Sequence, residues 1–414
     1  MEYYPRKIEE KLDKWINRRE AILIKGPRQS GKTTLLLHLK DKFGGEYITF
    51  EDENILRSFE DNPELFAKRF IRGERNTLFI DEAQYCSNVG KLLKFLFDNF
   101  SDKLKFIVTG SGSFDIKVEV GKYLVGRAIY FELLPLNFEE FLIWKAGDLH
   151  KIFTDYKRQI ERLILEGEPI ESKPVFQREF NTLLEEYILF GGFPAIVKED
   201  DHYFKIELLK NLVRLYIEKD VFFFLNVREL EKFRNIIRYI ALSIGSIFEY
   251  SSIMREFHVD YRTLENYLSI LINTYIVSLI PPFHKNLVTE LKKAKKIYFI
   301  DTGFRNSIIN NFLPLSNRTD KGFLMENFIL NELRSFGFEV YYWRTTGKAE
   351  VDFIIKVGDE VIPVEVKSGG SIGKSLISFI KSYKPRNAII FTDGSFKSEE
   401  VYGTKIFHLP YFYI

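Results

Sequence analysis

The chain has 414 residues, 45% of them hydrophobic, which is enough to bury several cores and to divide into roughly two to four domains. Lysine and arginine number 60 against 58 acidic residues, a net charge of +2, so no global field draws it to nucleic acid and such a partner must be met by a local patch. The one cysteine, Cys86, excludes an internal disulfide and a thiolate zinc cluster and suits a reducing, cytoplasmic compartment.

Met1–Lys7 lacks the apolar run of a secretory signal. The most apolar stretch, Val221–Leu225, is far shorter than the roughly 20 residues that cross a bilayer, so no membrane span is expected. Residues 6–19 read as an amphipathic helix, followed by a short buried strand, Ala21–Lys25, that runs into a glycine-containing loop. A helix over Thr33–Lys42 comes next, then strands at Glu46–Phe50, Thr77–Ile80 and Lys105–Thr109 separated by helical patterns at Asn54–Phe59 and Lys91–Phe100. Such alternation predicts an α/β domain with a parallel sheet covered by helices.

From about Ala146 to Arg178 the chain is charged and mostly helical, as suits a lid or connector, and residues 181–240 read as helices broken at Gly191-Gly192-Phe193-Pro194. Ser251–Leu268 has two short helical patterns around a tight turn, with a strand-like run near Tyr275–Ile280: a helix-turn-helix candidate with a wing. A helix at 322–336 then precedes strands at Phe338–Trp343, Val351–Val357 and Val361–Val366, a separate α/β domain.

Gly26-Pro27-Arg28-Gln29-Ser30-Gly31-Lys32-Thr33 has the P-loop spacing, in which glycines let successive backbone N–H groups wrap phosphates at the start of a helix. This predicts binding of ATP and Mg²⁺ by Gly26 through Thr34, with Lys32 on the β- and γ-phosphates and the Thr33 hydroxyl on the metal. Asp81, ending Leu78-Phe79-Ile80, is predicted to hold the same Mg²⁺ indirectly, and Glu82 to activate water. Thr109 or Ser111 is placed to sense the γ-phosphate. Arg127 is either an arginine finger for a neighbouring subunit of an oligomer or a surface ion pair.

Near the C-terminus, Gly358-Asp359 is a hairpin signal that lets two strands converge Asp352, Glu365 and Lys367, with Glu326 on the preceding helix completing a Mg²⁺ shell. Two carboxylates and a lysine suit metal-assisted attack by water. The competing reading is the polar side of a half-exposed hairpin.

These features, together with Leu133-Leu134-Pro135-Leu136, Tyr298–Gly303 and Met325-Glu326-Asn327, resemble the prokaryotic ATPases that fuse an AAA-type domain to a C-terminal domain of unknown function with a PD-(D/E)XK nuclease-like core. The resemblance implies an AAA-type ATPase domain at 1–145, a helical lid at 146–240, a winged-helix segment at 241–310 and a restriction-endonuclease-like α/β domain at 311–414. It also places Asp352, Glu365 and Lys367 on the nuclease pattern without substitution.

Two functions are compatible with this reading. In one, ATP turnover drives action on DNA, gripped through Arg255, His258, Tyr261, Arg262 and the basic run Lys285, Lys292, Lys293, Lys295 and Lys296, with Mg²⁺-dependent cleavage by the C-terminal residues. In the other, the nucleotide sets a molecular switch and the C-terminal domain is a platform for a protein partner.

Overall fold

The computed structural model describes residues 3–110, 123–218, 221, 227, 229–284, 294–394 and 396–414. Ser111, most of the Val221–Leu225 run, Lys285, Lys292 and Lys293 lie outside the described residues.

Strands β1 (Ala21–Lys25), β2 (Glu46–Thr49), β3 (Asn76–Asp81), β4 (Leu104–Gly110) and β5 (Ala128–Glu132) form a parallel sheet in the order β2-β3-β4-β1-β5. Because side chains alternate across a strand, each strand feeds two cores. Ile22, Ile24, Phe79 and Ile107 pack on one face with Leu35, Leu36 and Leu39 of the helix Lys32–Phe43. Leu23, Leu78, Ile80, Phe106 and Val108 pack on the other with Leu93, Leu96 and Phe97 of the helix Val89–Phe100. Apolar runs such as Ala-Ile-Leu-Ile belong to strands covered on both sides, which is what β1 and β4 are.

The helix expected over 6–19 spans only Ile8–Asp13. Beyond it the chain is held by donors from elsewhere. The Lys105 ammonium takes the carbonyls of Trp15 at 2.7 Å and Arg18 at 3.0 Å, and the Arg75 guanidinium takes those of Asn17 and Arg18.

After the sheet come helices Phe138–Lys145, Gly147–Glu166, Gln177–Phe190, Pro194–Lys198, His202–Leu215 and Leu230–Leu242. Asn137 and Glu140 close the first of these with a reciprocal capping box. Helices Tyr250–Phe257 and Tyr261–Asn273 then meet at His258, whose φ of 50° lies in the left-handed region, and Asp260 caps the second. An antiparallel pair, β6 (Val277–Ile280) and β7 (Lys296–Phe299), follows with helix Thr302–Ile308.

Helix Lys321–Ser335 leads into a six-stranded mixed sheet of β8 (Glu339–Arg344), β9 (Glu350–Val357), β10 (Glu360–Val366), β11 (Asn387–Thr392), β12 (Lys397–Val401) and β13 (Thr404–Pro410). Its order is β12-β13-β11-β10-β9-β8. The first three strands form an antiparallel meander, and helix Lys374–Tyr383 carries the crossover to β11, which is parallel to β10.

One hydrophobic core runs without a break from Leu136 through the helices and the β6–β7 pair to Ile414. Buried polar groups tie it together. Arg305, at 1% exposure, donates to the Ala241 carbonyl at 2.7 Å and to Asp320 at 2.5 Å, and Arg318 grips the same carboxylate at 2.8 Å from both its Nε and an Nη. Glu332 is fully buried and accepts from the Phe138 N–H at 2.9 Å, joining helix Lys321–Ser335 to the start of the helical region.

Burial pushes Glu332 up to about 7, against the Lys157 charge and the Phe138 N–H, which both favour the carboxylate. A folded value above the unfolded one means stability that is full at low pH and is lost as pH rises toward 7. Glu332→Gln keeps the acceptor and cannot ionise. It is expected to leave stability at pH 4 nearly unchanged and to raise it at pH 8 by about 3 kcal/mol, read by urea denaturation.

Candidate functional site

The sheet's carboxyl edge carries the P-loop. β1 ends at Lys25, and Gly26 passes so close to Leu133 that a Cβ there would strike its carbonyl oxygen. Gln29 (φ 59°) and Gly31 (φ 96°) are left-handed, a conformation that turns consecutive backbone N–H groups toward one concavity at the start of helix Lys32–Phe43. Lys32 lies folded onto its own loop, its ammonium donating to the carbonyls of Pro27 at 2.6 Å and Gly26 at 3.1 Å.

Asp81 at the tip of β3 organises the neighbouring strands. One of its oxygens accepts from the Thr33 hydroxyl at 2.6 Å and the Tyr47 hydroxyl at 2.9 Å; the other accepts from the Thr109 hydroxyl and from the Glu82 N–H at 3.0 Å. Burial and this carboxylate together push the Tyr47 hydroxyl well above its ordinary value. Glu82 follows in a left-handed conformation, φ 54°, with its carboxylate accepting from the Gln84 amide. A non-glycine residue held there is strained, and strain of this kind gathers at functional positions. Thr33 and Asp81 offer the hard oxygen donors that Mg²⁺ takes, so the residues present fit that ion.

A cavity of about 500 Å³ opens in front of the loop. Arg28, Lys32, Thr33, Thr34 and Glu82 form its polar wall, and Tyr3, Tyr4, Trp144, Pro194 and Leu212 its apolar one. Tyr4 stacks on Trp144 with ring centroids 4.2 Å apart, and Tyr3 on His38 at 3.8 Å. Arg6 staples this N-terminal segment down, donating to the Ser30 carbonyl at 2.9 Å, the Leu134 carbonyl at 2.7 Å and the Glu140 carboxylate at 3.0 Å. The polar wall is made of residues the P-loop pattern and the Asp81-Glu82 pair pointed to, whereas Tyr3, Tyr4, Trp144 and Leu212 of the apolar wall were not expected from the sequence. The one signal was an aromatic pair, Tyr3-Tyr4, standing just ahead of the first strand.

The Gly191–Pro194 turn closes the far side. Gly192 accepts from the Leu136 N–H and donates to Asp301, both at 2.7 Å, while the second Asp301 oxygen caps helix Thr302–Ile308 through the Phe304 N–H. Gly191, with φ 76°, leaves no room for a Cβ beside that carboxylate. Burial pushes Asp301 up to about 6, against the N–H groups of Gly192, Phe304 and Gly303. The cavity wall and the segment after β7 therefore share one carboxylate.

Arg127 takes no part in this constellation within its own chain. It precedes Ala128, which pairs with Ala21 at the amino end of β1, whereas the P-loop leaves the carboxyl end, and its guanidinium is ion-paired with Asp98 at 2.6 Å.

A second constellation lies in the C-terminal sheet. The β9–β10 hairpin turns at Gly358 and brings Asp352 beside Glu365 and Lys367, and Glu326 approaches from helix Lys321–Ser335. Each acid already has a partner from the chain. Asp352 accepts from the Val366 N–H at 2.8 Å, Glu326 from the Tyr298 hydroxyl at 3.2 Å, and Glu365 pairs with Lys367, over which Gly373 is packed. Burial pushes Glu326 up to about 8, reinforced by the Asp352 charge and opposed by Lys296; Asp352 and Glu365 are raised by burial as well. Among the described residues no three His, Cys, Asp or Glu side chains form a group able to hold a metal ion. The Mg²⁺ shell expected from Glu326, Asp352 and Glu365 does not fit this arrangement.

The basic run is likewise revised. Lys296 is not a phosphate contact on a surface hairpin but is buried, with its ammonium 2.5 Å from Glu350, and only Lys295 of the described members is exposed. Arg255, His258, Tyr261 and Arg262, on and between helices Tyr250–Phe257 and Tyr261–Asn273, are all exposed. No helix among the described residues is long and apolar enough to cross a membrane.

Comparison with known proteins matches residues 18–142 to an AAA domain, 181–315 to a domain of unknown function (DUF8612) and 321–412 to a domain of unknown function (DUF4143). The chain is 31% identical over 348 residues to the uncharacterized protein MJ1544 of Methanocaldococcus jannaschii, covering 80% of this chain and 71% of that one. It is 24% identical over 409 residues to an uncharacterized protein of Haemophilus influenzae, covering 94% and 92%. Among solved structures, a RuvB mutant of Thermotoga maritima aligns over 70% of this chain and 96% of its own at 16% identity, with a TM-score of 0.33, too loose a likeness to carry an argument. With the parallel sheet, the P-loop at its carboxyl edge and the match along most of its length, the chain belongs to the same family as the Methanocaldococcus jannaschii protein MJ1544 and carries an AAA-type ATPase domain.

Proposed function

We propose that the chain binds and hydrolyses ATP at the P-loop and spends the cycle on a change in DNA binding. The observation that carries the first part is the Asp81 carboxylate, on which Thr33, Tyr47 and Thr109 converge from the P-loop helix and both adjacent strands, at the mouth of a cavity walled by Lys32 and Glu82. The phosphates rest on the backbone from Gly26 to Thr34, and Lys32 exchanges the carbonyls of Gly26 and Pro27 for β- and γ-phosphate oxygens. Thr33 and Asp81 are the residues that would hold Mg²⁺, which supplies charge neutralisation on the phosphates when bound. Glu82 leaves the Gln84 amide to accept the proton of the attacking water, and Thr109 ties Asp81 to the end of β4.

Transmission is read through Gly192 and Asp301. A change in the cavity wall at Pro194 reaches helix Thr302–Ile308, and with it β7 and the helix-turn-helix, through two hydrogen bonds to one buried carboxylate. DNA is the partner that suits the exposed Arg255, His258, Tyr261 and Arg262 on two short helices. In fluorescence anisotropy with a labelled duplex, binding is expected to weaken steeply with salt. Arg255→Ala with Arg262→Ala should lower affinity about 10-fold or more and flatten the salt slope by roughly two charges. ATP and ADP should give different affinities; equal affinities, or no binding at low salt, remove the DNA part of the proposal.

A second reading, a nucleotide-dependent switch with a non-catalytic C-terminal platform, is favoured by one observation: the acids around Asp352 are paired within the chain. The meander-plus-crossover order of β8 to β11 supports the likeness to a nuclease core, but no cleavage step is derived from a cluster in which each acid is paired within the chain.

A further inference from the structure

We infer that Lys296 is a tethered cation which neutralises the C-terminal carboxylate cluster and thereby excludes a divalent metal from it. The inference stands on the geometry of that cluster and is independent of the ATPase reading.

Lys296 belongs to β7, outside the six-stranded sheet, and all four residues of that strand are buried. Side chains two apart on a strand share a face, so Lys296 and Tyr298 point together at the cluster. Lys296 meets Glu350 at 2.5 Å and Tyr298 meets Glu326 at 3.2 Å. Arg344 approaches the other Glu350 oxygen at 3.6 Å, and Lys367 pairs with Glu365. An ammonium is placed at 3% exposure only where counter-charge compensates its lost hydration. A hydrated Mg²⁺ or Mn²⁺ entering beside Glu326 and Asp352 would add two positive charges where a buried one already stands, at short range and without bulk water to screen them. The metal and the lysine are therefore alternatives.

β7 is in turn anchored to the start of the helix-turn-helix. Gly245 donates to the Ile297 carbonyl at 2.9 Å, Ile297 to the Ser246 carbonyl at 3.2 Å, and Phe248 to the Lys295 carbonyl at 2.8 Å. The ammonium paired with Glu350 beside the cluster is thus carried by the element that follows the proposed DNA-binding helices, so displacement of that element and access of a cation are one event.

The test is Mn²⁺ binding to the full chain without nucleotide, followed by electron paramagnetic resonance, with near-ultraviolet circular dichroism to verify folding. Lys296→Met is expected to gain one Mn²⁺ site relative to wild type, with affinity at least about 10-fold above any wild-type binding there, and adding Asp352→Asn should remove it. Lys296→Arg keeps the charge and should stay as metal-free as wild type. A folded Lys296→Met protein that binds no more Mn²⁺ than wild type overturns the inference, as does wild type binding Mn²⁺ in an Asp352-dependent manner. A measurement without substitution backs this up. In native wild type, acetic anhydride followed by mass spectrometry should modify exposed Lys295 readily and Lys296 at least about 10-fold more slowly; equal rates for the two overturn the inference equally.

Discussion

A Lys32→Ala protein is expected to hydrolyse ATP at least about 10²-fold more slowly than wild type, in a phosphate-release assay at saturating ATP. The ammonium is nearly buried and donates to the Gly26 and Pro27 carbonyls of its own loop, which hold it within reach of the concavity. Alanine removes the one full positive charge that helix Lys32–Phe43 contributes at its start, where the backbone dipoles alone are a weak substitute. Glu82→Gln separates binding from chemistry. The amide retains the shape and cannot take a proton, so fluorescent-nucleotide affinity should stay within about 3-fold while turnover falls by about 10² or more. If Lys32→Ala retains full turnover, the P-loop is not the hydrolytic site; if Glu82→Gln does, the base lies elsewhere.

Asp320→Asn is expected to cost about 3–5 kcal/mol of stability, read from the urea midpoint of the helical and C-terminal unit. One carboxylate serves two guanidiniums that are almost completely excluded from water, Arg305 and Arg318. An asparagine offers one acceptor oxygen and no charge, so two buried cations lose their compensation together. Burial alone would raise Asp320, and the hydrogen bonds from Arg318 and Arg305 overcome it, holding the acid down to about 2 against an unfolded value of 3.8. A depressed acid contributes stability that is present above pH 3.8 and is lost as pH falls toward 2. The wild-type protein should therefore lose stability more steeply than Asp320→Asn through that acid window. An Asp320→Asn midpoint equal to wild type would show that the arginines find other acceptors.

The parallel sheet and the P-loop were legible because both are written locally. Strands buried on two faces need unbroken apolar runs, and a phosphate cradle needs its glycines and lysine in consecutive positions. The C-terminal hairpin was legible for a similar reason, since Gly358-Asp359 fixes the register that brings Asp352 to Glu365. What the sequence concealed comes from distant segments. Tyr3, Arg6, Trp144 and Pro194 wall one cavity from three separate stretches of chain, and no periodicity links them. The length of the first helix was misjudged because the segment after it is held by Arg75, just ahead of β3, and Lys105 of β4, both remote in sequence. Lys296 was read as one more surface lysine because its neighbours in sequence are basic, while its environment is set by Glu350 of β9, in a different sheet from its own buried strand.

The unbroken core from Leu136 to Ile414 bears on how the molecule can be taken apart. Boundaries near 240 and 310, natural as they look in the sequence, cut through shared packing: Tyr298 lies against Phe353, and Phe180 against Phe412 at 4.9 Å between ring centroids. A fragment beginning at 311 would present to water the apolar faces that these rings now cover, and would be prone to aggregate. A cut near 135 instead separates the parallel sheet from everything after it, so limited proteolysis and two-step melting should resolve two cooperative blocks, where the motifs suggest four.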